Sequence, residues 1–194
     1  MPVATTEETL TVEEFLAKYG HCSGVELVRG RVVWPGRESE PSSGGHMPRF
    51  RHGVVSYRAV RLLSDFIEAH HLGWVAINDT FVRVAENPTT VRGADLLFVS
   101  YARLPEGTAP EDLPVPPDLV VEVRSPTDLW TDMMGKAIEY LKAGVRVVVI
   151  LDPPTASASV YRSDTRQEII QGTDEFTLPD VLPGFSVPVN KFFG

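Results

Sequence analysis

Apolar residues recur along the chain with two different periods, and these periods predict its helices and strands. Thr11 and Glu14 form a capping box that begins a short helix, and Gly20 ends it. Residues 25–34 alternate around Gly30 and predict a hairpin. A helical period then predicts the long helix of the domain through eight apolar residues: Val54, Val55, Tyr57, Val60, Leu62, Leu63, Phe66 and Ile67.

Runs rich in β-branched and aromatic residues predict the strands of a central sheet. The sequence Ser125-Pro126-Thr127-Asp128 is typical of a helix start, and this helix runs to about Ala143. The segment 145–151, which is apolar without interruption from Val147 to Leu151, predicts a strand buried on both faces. The other predicted strands lie at residues 74–78, 81–84, 94–100, 119–123, 159–161, 168–171 and 175–177.

The order of these segments predicts a single α/β domain over residues 1–194. Strand, helix and strand between residues 119 and 151 imply a parallel pair joined by a right-handed crossover. Helices then pack on a mixed β-sheet. We expect an N-terminal helix and hairpin at 11–35, an exposed loop at 37–45, the long helix at 48–72, the core sheet at 74–151 and small C-terminal strands at 157–194.

Composition changes this interpretation little, whereas charge adds a constraint. Hydrophobic residues make up 43% of the chain and charged residues 23%, as in ordinary globular domains. The single cysteine, Cys22, cannot form an internal disulfide, and no apolar run is long enough for a membrane span, so we expect a cytoplasmic protein. The formal net charge of −8 argues against tight DNA binding through a basic face, although it says little about one groove.

Two carboxylates interrupt strands that otherwise resemble the core. Glu122 lies within Leu119–Val123, and Asp95 directly precedes the apolar run 96–99. Burying an unpaired carboxylate costs several kcal/mol in effective terms. Two such groups on neighbouring strands repel each other unless a cation lies between them, and Mg²⁺ is suited to one or two carboxylates plus water. The pattern therefore favours a Mg²⁺ (or Mn²⁺) site at Asp95 and Glu122.

Lys136 is the candidate for a cationic group beside these acids. Asp128, Asp132 and Lys136 are four residues apart and predict one stripe of a helix. If that stripe leans towards the strand of Glu122, Lys136 enters the site. The alternative from spacing alone is a solvated ion pair between Asp132 and Lys136.

Structural explanations also exist for the two acids. Glu122 and Arg124 share one face of their strand and could form an ion pair at a sheet edge, and Asp95 could cap a turn after Gly93. His46, His52 and the pair His70-His71 form no recognisable zinc-binding set with Cys22. The residues by themselves leave these alternatives open.

An ordered set of short motifs resembles the Uma-type family of restriction endonucleases, a branch of the PD-(D/E)XK nuclease superfamily. Each motif alone is weakly specific, but their order is specific and spans nearly the whole chain. The matching stretches are Val25-Glu26-Leu27-Val28-Arg29-Gly30, His52, Arg92-Gly93-Ala94-Asp95, Pro117 to Pro126, Lys136, Glu139-Tyr140-Leu141, Gly144-Val145, Asp152-Pro153 and Pro183-Gly184-Phe185.

This resemblance implies a fold, an activity and a set of site residues. The implied fold is restriction-endonuclease-like, and the implied activity is metal-dependent hydrolysis of DNA phosphodiester bonds. Asp95 resembles the metal-binding aspartate, Glu122 the acid of the (D/E)XK strand, and Glu26 a further acidic contributor to catalysis. The implied cofactor is Mg²⁺ or Mn²⁺, and the implied substrate is DNA.

The sequence departs from the family pattern at two positions. Ala94 stands where a proline usually precedes the aspartate, and Arg124 occupies the usual lysine position two residues after Glu122. Because arginine stays protonated, Arg124 is a poor proton acceptor. The resemblance therefore transfers the catalytic lysine to Lys136, and it implies that Arg124 and His52 contribute to substrate binding.

Two further functions remain compatible with this sequence. A catalytically inactive relative could act as a DNA-binding or regulatory module, with Arg49, Arg51, Arg58 and Arg61 as its densest basic group. A structural or oligomer-forming protein could hold its acids with arginines instead of a metal. A homodimer would suit a nuclease that cuts both strands.

Overall fold

The structure is a computed structural model that describes residues 9–22, 24–34, 49–86, 89–126, 128–162 and 167–194. The exposed loop predicted at residues 37–45 lies outside the described residues. The elements are α1 (Val12–Tyr19), β1 (Glu26–Val28), β2 (Arg31–Val33), α2 (Phe50–Ala69), β3 (Gly73–Glu86), β4 (Thr89–Ser100), β5 (Leu119–Val123), α3 (Trp130–Lys142), β6 (Val147–Asp152), β7 (Ser157–Arg162), β8 (Gln167–Gln171), β9 (Glu175–Leu178), β10 (Leu182–Pro188) and a 3₁₀-helix (Val189–Phe192).

The described strands form one mixed sheet and one small hairpin. Eight strands make the sheet in the order β2-β1-β4-β5-β6-β7-β8, with β3 paired to β4 beside this path, and β9 pairs with β10 alone. The pair β5–β6 is parallel and is connected through α3, as the strand–helix–strand pattern predicts. The mixed α/β class is therefore confirmed.

The pairing of β4 leaves a gap along one of its edges. Strand β3 covers the opposite edge from Thr89 to Ser100. On the remaining edge, β1 pairs at Val91, and β5 pairs at residues 96–98. Residues 92–95 of β4 thus lie between two partner strands, and this position determines where the functional site forms.

Apolar side chains cover both faces of the sheet. Helix α2 packs on one face together with β9, β10 and the 3₁₀-helix, and its buried residues are Val55, Ala59, Leu63 and Ile67. Helix α3 packs on the other face through Met133, Ala137 and Tyr140. Each large apolar side chain buried in this way contributes about 1.5–3 kcal/mol. The two helices therefore approach the edge gap of β4 from opposite faces.

Helix α1 closes the far end of the sheet. Thr11 accepts a hydrogen bond from the Glu14 amide at 3.2 Å, and the Glu14 carboxylate accepts one from the Thr11 amide at 2.9 Å. The predicted capping box is confirmed. Phe15 and Leu27 are fully buried in a third apolar cluster, which fixes β1 against the rest of the sheet.

Strand β3 corrects one prediction. Two strands were expected at 74–78 and 81–84, but one strand runs through both. Asn78 and Asp79 have φ angles of 70° and 57°, and the register with β4 shifts between Ile77 and Thr80. The local break is therefore a bulge and not a strand end, because pairing with β4 resumes directly after it.

The start of α3 corrects another. The helix begins at Trp130 and not at Ser125. The Asp128 carboxylate accepts a hydrogen bond from the Ser125 amide at 2.7 Å, and the Asp128 amide donates to the Ser125 carbonyl at 3.0 Å. This turn uses the groups that would have capped a helix. Asp128 consequently precedes the helix and does not share a helical stripe with Asp132 and Lys136.

No helix among the described residues is long and apolar enough to cross a membrane.

Candidate active site

Side chains replace the missing strand along the edge gap of β4. The Gly93 amide donates to Glu26 Oε1 at 3.3 Å, and the Gly93 carbonyl accepts from Lys136 Nζ at 2.9 Å and from Tyr140 OH at 3.1 Å. Buried backbone groups need such partners because an unpaired one costs free energy comparable to a lost hydrogen bond. Polar side chains from β1 and α3 therefore lie at this gap, within an otherwise apolar region.

Lys136 lies between two carboxylates at this gap. Its Nζ is 2.9 Å from Glu26 Oε1 and 3.0 Å from Glu122 Oε1. Asp132, its partner in the alternative surface pair, is exposed. The Lys136 side chain is 17% exposed, so its ammonium depends on these contacts in place of water.

Glu122 is a carboxylate buried among other acids. The residue is 5% exposed, and its Oε1 accepts a hydrogen bond from Tyr140 OH at 2.9 Å. Burial raises the pKa of Glu122 to about 8, and Asp95 and Glu26 act in the same direction, although Lys136 opposes them. The protein thus pays a cost to keep an ionisable acid at this position.

The surroundings of Glu26 and Lys136 favour the charged forms of these two groups. Burial would raise the pKa of Glu26, but Lys136 and Arg92 outweigh it and lower that pKa. Burial would lower the pKa of Lys136, but Glu122 and Glu26 outweigh it and raise that pKa well above its ordinary value. Lys136 is therefore a permanent donor at neutral pH and not a proton acceptor.

Asp95 binds the end of β5. Its Oδ2 accepts a hydrogen bond from the Val123 amide at 2.7 Å, where backbone pairing between β4 and β5 has ended. The same oxygen is 3.6 Å from Nε2 of His52 in α2. The Asp95 carboxylate raises the pKa of the His52 imidazole, because it stabilises the protonated ring. Asp95 thus links both strands to α2.

The two strand acids retain capacity to bind a cation. Among the described residues, the contacts of Glu122 fall on Oε1 and those of Asp95 fall on Oδ2. The second oxygen of each therefore has no donor in that part of the chain. The described residues hold no group of three or more His, Cys, Asp or Glu placed for a metal. Two carboxylates plus water fit Mg²⁺, which keeps several waters, better than they fit zinc.

A cleft of about 470 Å³ opens onto these groups. Glu26, Asp95, Glu122 and Lys136 line its floor, and His52 lines its wall. The structure therefore brings together five of the six residues singled out from the sequence.

Arg124 lies apart from this cleft. Its Nε donates to Asp152 Oδ1 at 2.7 Å, its Nη1 donates to the Asp128 carbonyl at 3.2 Å, and its guanidinium stacks 5.4 Å from the Trp130 ring centroid. The predicted ion pair between Glu122 and Arg124 is replaced by the pair between Asp152 and Arg124. Its role in substrate binding stays a prediction.

Three residues of the site were missed in the sequence. Arg92 donates to Glu26 Oε2 at 2.7 Å and to Glu139 Oε2 at 2.7 Å, and Tyr140 contacts Glu122. Asp79 also lines the cleft, and burial followed by the charge of Asp95 raises its pKa. The doublet of Asn78 and Asp79 was a usable signal for a bulge, whereas the partners of Arg92 and Tyr140 depend on tertiary pairing.

The sequence also matches a known protein family. Residues 45–190, most of the chain, match the Uma2 family, described as "Putative restriction endonuclease". The chain belongs to the Uma2 family. This match contains all the site residues above except Glu26, and it confirms the resemblance inferred from the motifs.

A solved structure confirms the fold of this Uma2 member. The crystal structure of "a putative nuclease belonging to DUF820" from Anabaena variabilis is similar with a TM-score of 0.79 and 17% sequence identity. The similarity covers 95% of this chain and 97% of that one. At this identity the similarity establishes the fold alone, a mixed α/β domain with a central mixed sheet. No curated protein matches the sequence.

Proposed function

We propose that the protein is a divalent-metal-dependent endonuclease that hydrolyses DNA phosphodiester bonds, with Asp95 and Glu122 as the ligands of Mg²⁺ or Mn²⁺. One observation carries the proposal. Two carboxylates lie on the adjacent strands β4 and β5, each with an oxygen free of the described donors, beside a lysine ammonium at the floor of a cleft. Membership of the Uma2 family supports the same reaction class.

The ion and the chain contribute different chemistry. A divalent ion supplies polarisation of the phosphodiester and a water of lowered pKa. Lys136 is protonated, so its role is to donate hydrogen bonds that orient the attacking water and stabilise negative charge in the transition state. His52, whose pKa Asp95 raises, adds a second donor on the opposite wall.

Several neighbours position these groups. Glu26 has Arg92 on one oxygen and Lys136 on the other, so its contribution to catalysis is to hold the Lys136 ammonium in place. Tyr140 orients the Glu122 carboxylate through its hydroxyl. Such supporting hydrogen bonds are typically worth about 10- to 100-fold in metal affinity or activity.

The first test compares Asp95→Asn with a matched exposed acid. Wild type is expected to nick DNA when Mn²⁺ is added, and Asp95→Asn is expected to lose both nicking and Mn²⁺ binding by calorimetry. Asn keeps the shape and an oxygen that can accept the Val123 amide, so the fold should persist. Asp132→Asn, an exposed acid in the first turn of α3, is expected to behave as wild type. Equal activity in the two variants would remove Asp95 from the site.

One observation favours a second candidate function, a catalytically inactive module with the nuclease fold. Lys136 already bridges Glu26 and Glu122, and Arg92 pairs with Glu26, without any metal. Such a module would bind DNA or assemble with other copies, and its cleft would take up no Mn²⁺. For the active enzyme, a two-fold dimer would suit cleavage of both strands. Calorimetric Mn²⁺ binding by wild type separates the two functions.

A further inference from the structure

The mouth of the cleft has a different chemistry from its floor. Tyr57 of α2 and Ile77 of β3 both line the cleft, although they are 63% and 49% exposed. These apolar groups line the same cleft as the buried or half-buried carboxylates of Asp95 and Glu122. A cleft with an apolar mouth and a charged floor suits a ligand that has one planar apolar part and one anionic part.

A glycine leaves open space beside the exposed aromatic ring. Gly53 lies one helical turn before Tyr57, lines the same cleft, and would carry its Cβ into space where no atom of the described residues lies within 4 Å. Side chains of a helix lean towards its N-terminus, so the space at Gly53 borders the ring of Tyr57. Glycine weakens a helix relative to alanine, and within the described part of the chain no contact requires a glycine here. Gly53 and Tyr57 thus border an open space in the cleft, which we call the Tyr57 slot.

We propose that the Tyr57 slot binds an unpaired nucleobase by stacking, so that the preferred substrate is single-stranded or locally unpaired DNA. This inference rests on the proposed function, because the floor of the cleft must take the neighbouring phosphate. Every nucleobase offers a flat face to an aromatic ring once it leaves the duplex, whereas paired bases offer their edges in the grooves.

The charge of the molecule supports stacking over phosphate attraction. The formal net charge is −8, and five acids among the described residues line the cleft: Glu26, Asp79, Asp95, Glu122 and Asp128. Affinity built on phosphate contacts needs many lysines or arginines and falls steeply with salt. Lys136 is engaged by two carboxylates. Binding by this protein therefore draws on an uncharged contact, and Tyr57 is the exposed aromatic residue that lines the cleft.

The test measures DNA binding separately from DNA cleavage. Glu122→Gln serves as the background, so that a fluorescent oligonucleotide stays intact, and fluorescence anisotropy gives the Kd for the single strand and for its duplex. We expect tighter binding of the single strand. Adding Tyr57→Ala should weaken single-strand binding about tenfold or more, as expected for the loss of one base–aromatic stack. Tyr57→Trp should retain it.

Two further variants separate stacking from general surface effects. Phe50→Ala removes another exposed aromatic of the same helix, which is 89% exposed and is not among the described residues that line the cleft, and it should leave both Kd values unchanged. Gly53→Leu should fill the slot and weaken single-strand binding, yet keep the thermal unfolding temperature at or above that of the background.

Several outcomes would overturn the inference. Equal affinity for single strand and duplex, an equal loss of both in Tyr57→Ala, or no measurable DNA binding would each do so. A shift from dimer to monomer in Tyr57→Ala, seen by sedimentation without a change in Kd, would assign the surface to a second copy of the chain. Since these readings are made without cleavage, a failure of wild type to nick DNA with Mn²⁺ would instead count against the proposed function.

Discussion

Glu122→Gln is expected to reduce Mn²⁺-dependent DNA cleavage by on the order of 10³-fold or more, while the protein keeps its fold. The bound ion would supply several kcal/mol of charge stabilisation, which is lost with the ligand that holds it, and each factor of ten in rate is about 1.4 kcal/mol. Glutamine has the shape of glutamate and can still accept hydrogen bonds from Tyr140 and Lys136, so packing around it is preserved. Initial rates of plasmid nicking measure the effect.

The same variant should change how stability depends on pH. The pKa of Glu122 is raised from 4.5 to about 8 in the folded protein. The folded state therefore binds the proton more tightly, and this contribution is fully present below pH 4.5 and is lost as the pH rises through about 8. Without metal, the unfolding temperature of wild type should fall across this window more than that of Glu122→Gln.

A matched control keeps both readings specific. Glu86→Gln changes an exposed acid at the end of β3 and should leave the nicking rate and the pH dependence of stability as in wild type. Nicking by Glu122→Gln at the wild-type rate would exclude Glu122 from the mechanism.

Lys136→Met is the second change with a large expected effect, on both rate and stability. Removing one preorganised donor to transition-state charge typically costs about 10²- to 10³-fold in rate. It also leaves Glu26 and Glu122 without their shared cation, and breaking a buried ion pair costs roughly 3–5 kcal/mol. Single-turnover cleavage and urea unfolding measure the two effects.

A double variant separates the chemical effect from the structural one. Glu26→Gln combined with Lys136→Met removes a carboxylate that has lost one of its two cations and keeps only Arg92, so it should recover part of the lost stability and none of the lost rate. Lys142→Met alters an exposed lysine in the last turn of the same helix and should change neither. Recovery of the rate together with stability would reduce Lys136 to a structural ion-pair partner.

The sequence predicted well where a short pattern determines the structure. Leu119–Val123 is a buried strand as expected, because three of its five residues are β-branched valines and only one is charged. The acid was recognisable as unusual for the same reason. The capping box at Thr11 likewise depends on groups three residues apart.

Prediction failed where distant segments compete with a local pattern. A helix start was predicted at Ser125, but a turn closed by Asp128 occupies this position. The preceding residue, Arg124, is bound by Asp152 of the neighbouring strand β6. The gap along β4 is also not local, because it requires β1 and β5 to share one edge of the same strand.

This gap explains why part of the site was missed. Tyr140 lies on the buried side of α3 with Met133 and Ala137, as an apolar residue would. Its hydroxyl donates to the Gly93 carbonyl, which is available because no described strand pairs with this edge of β4 at the gap. A single sequence contains no direct signal that Tyr140 of α3 will contact Gly93 of β4.

Anomalous diffraction from crystals soaked in Mn²⁺ tests the central claim most directly. If the ion binds as proposed, we expect an anomalous peak between the carboxylates of Asp95 and Glu122, with an oxygen of each within coordination distance and water completing the shell. Crystals that contain abundant manganese, yet show no peak there and both side chains turned away from each other, would contradict it.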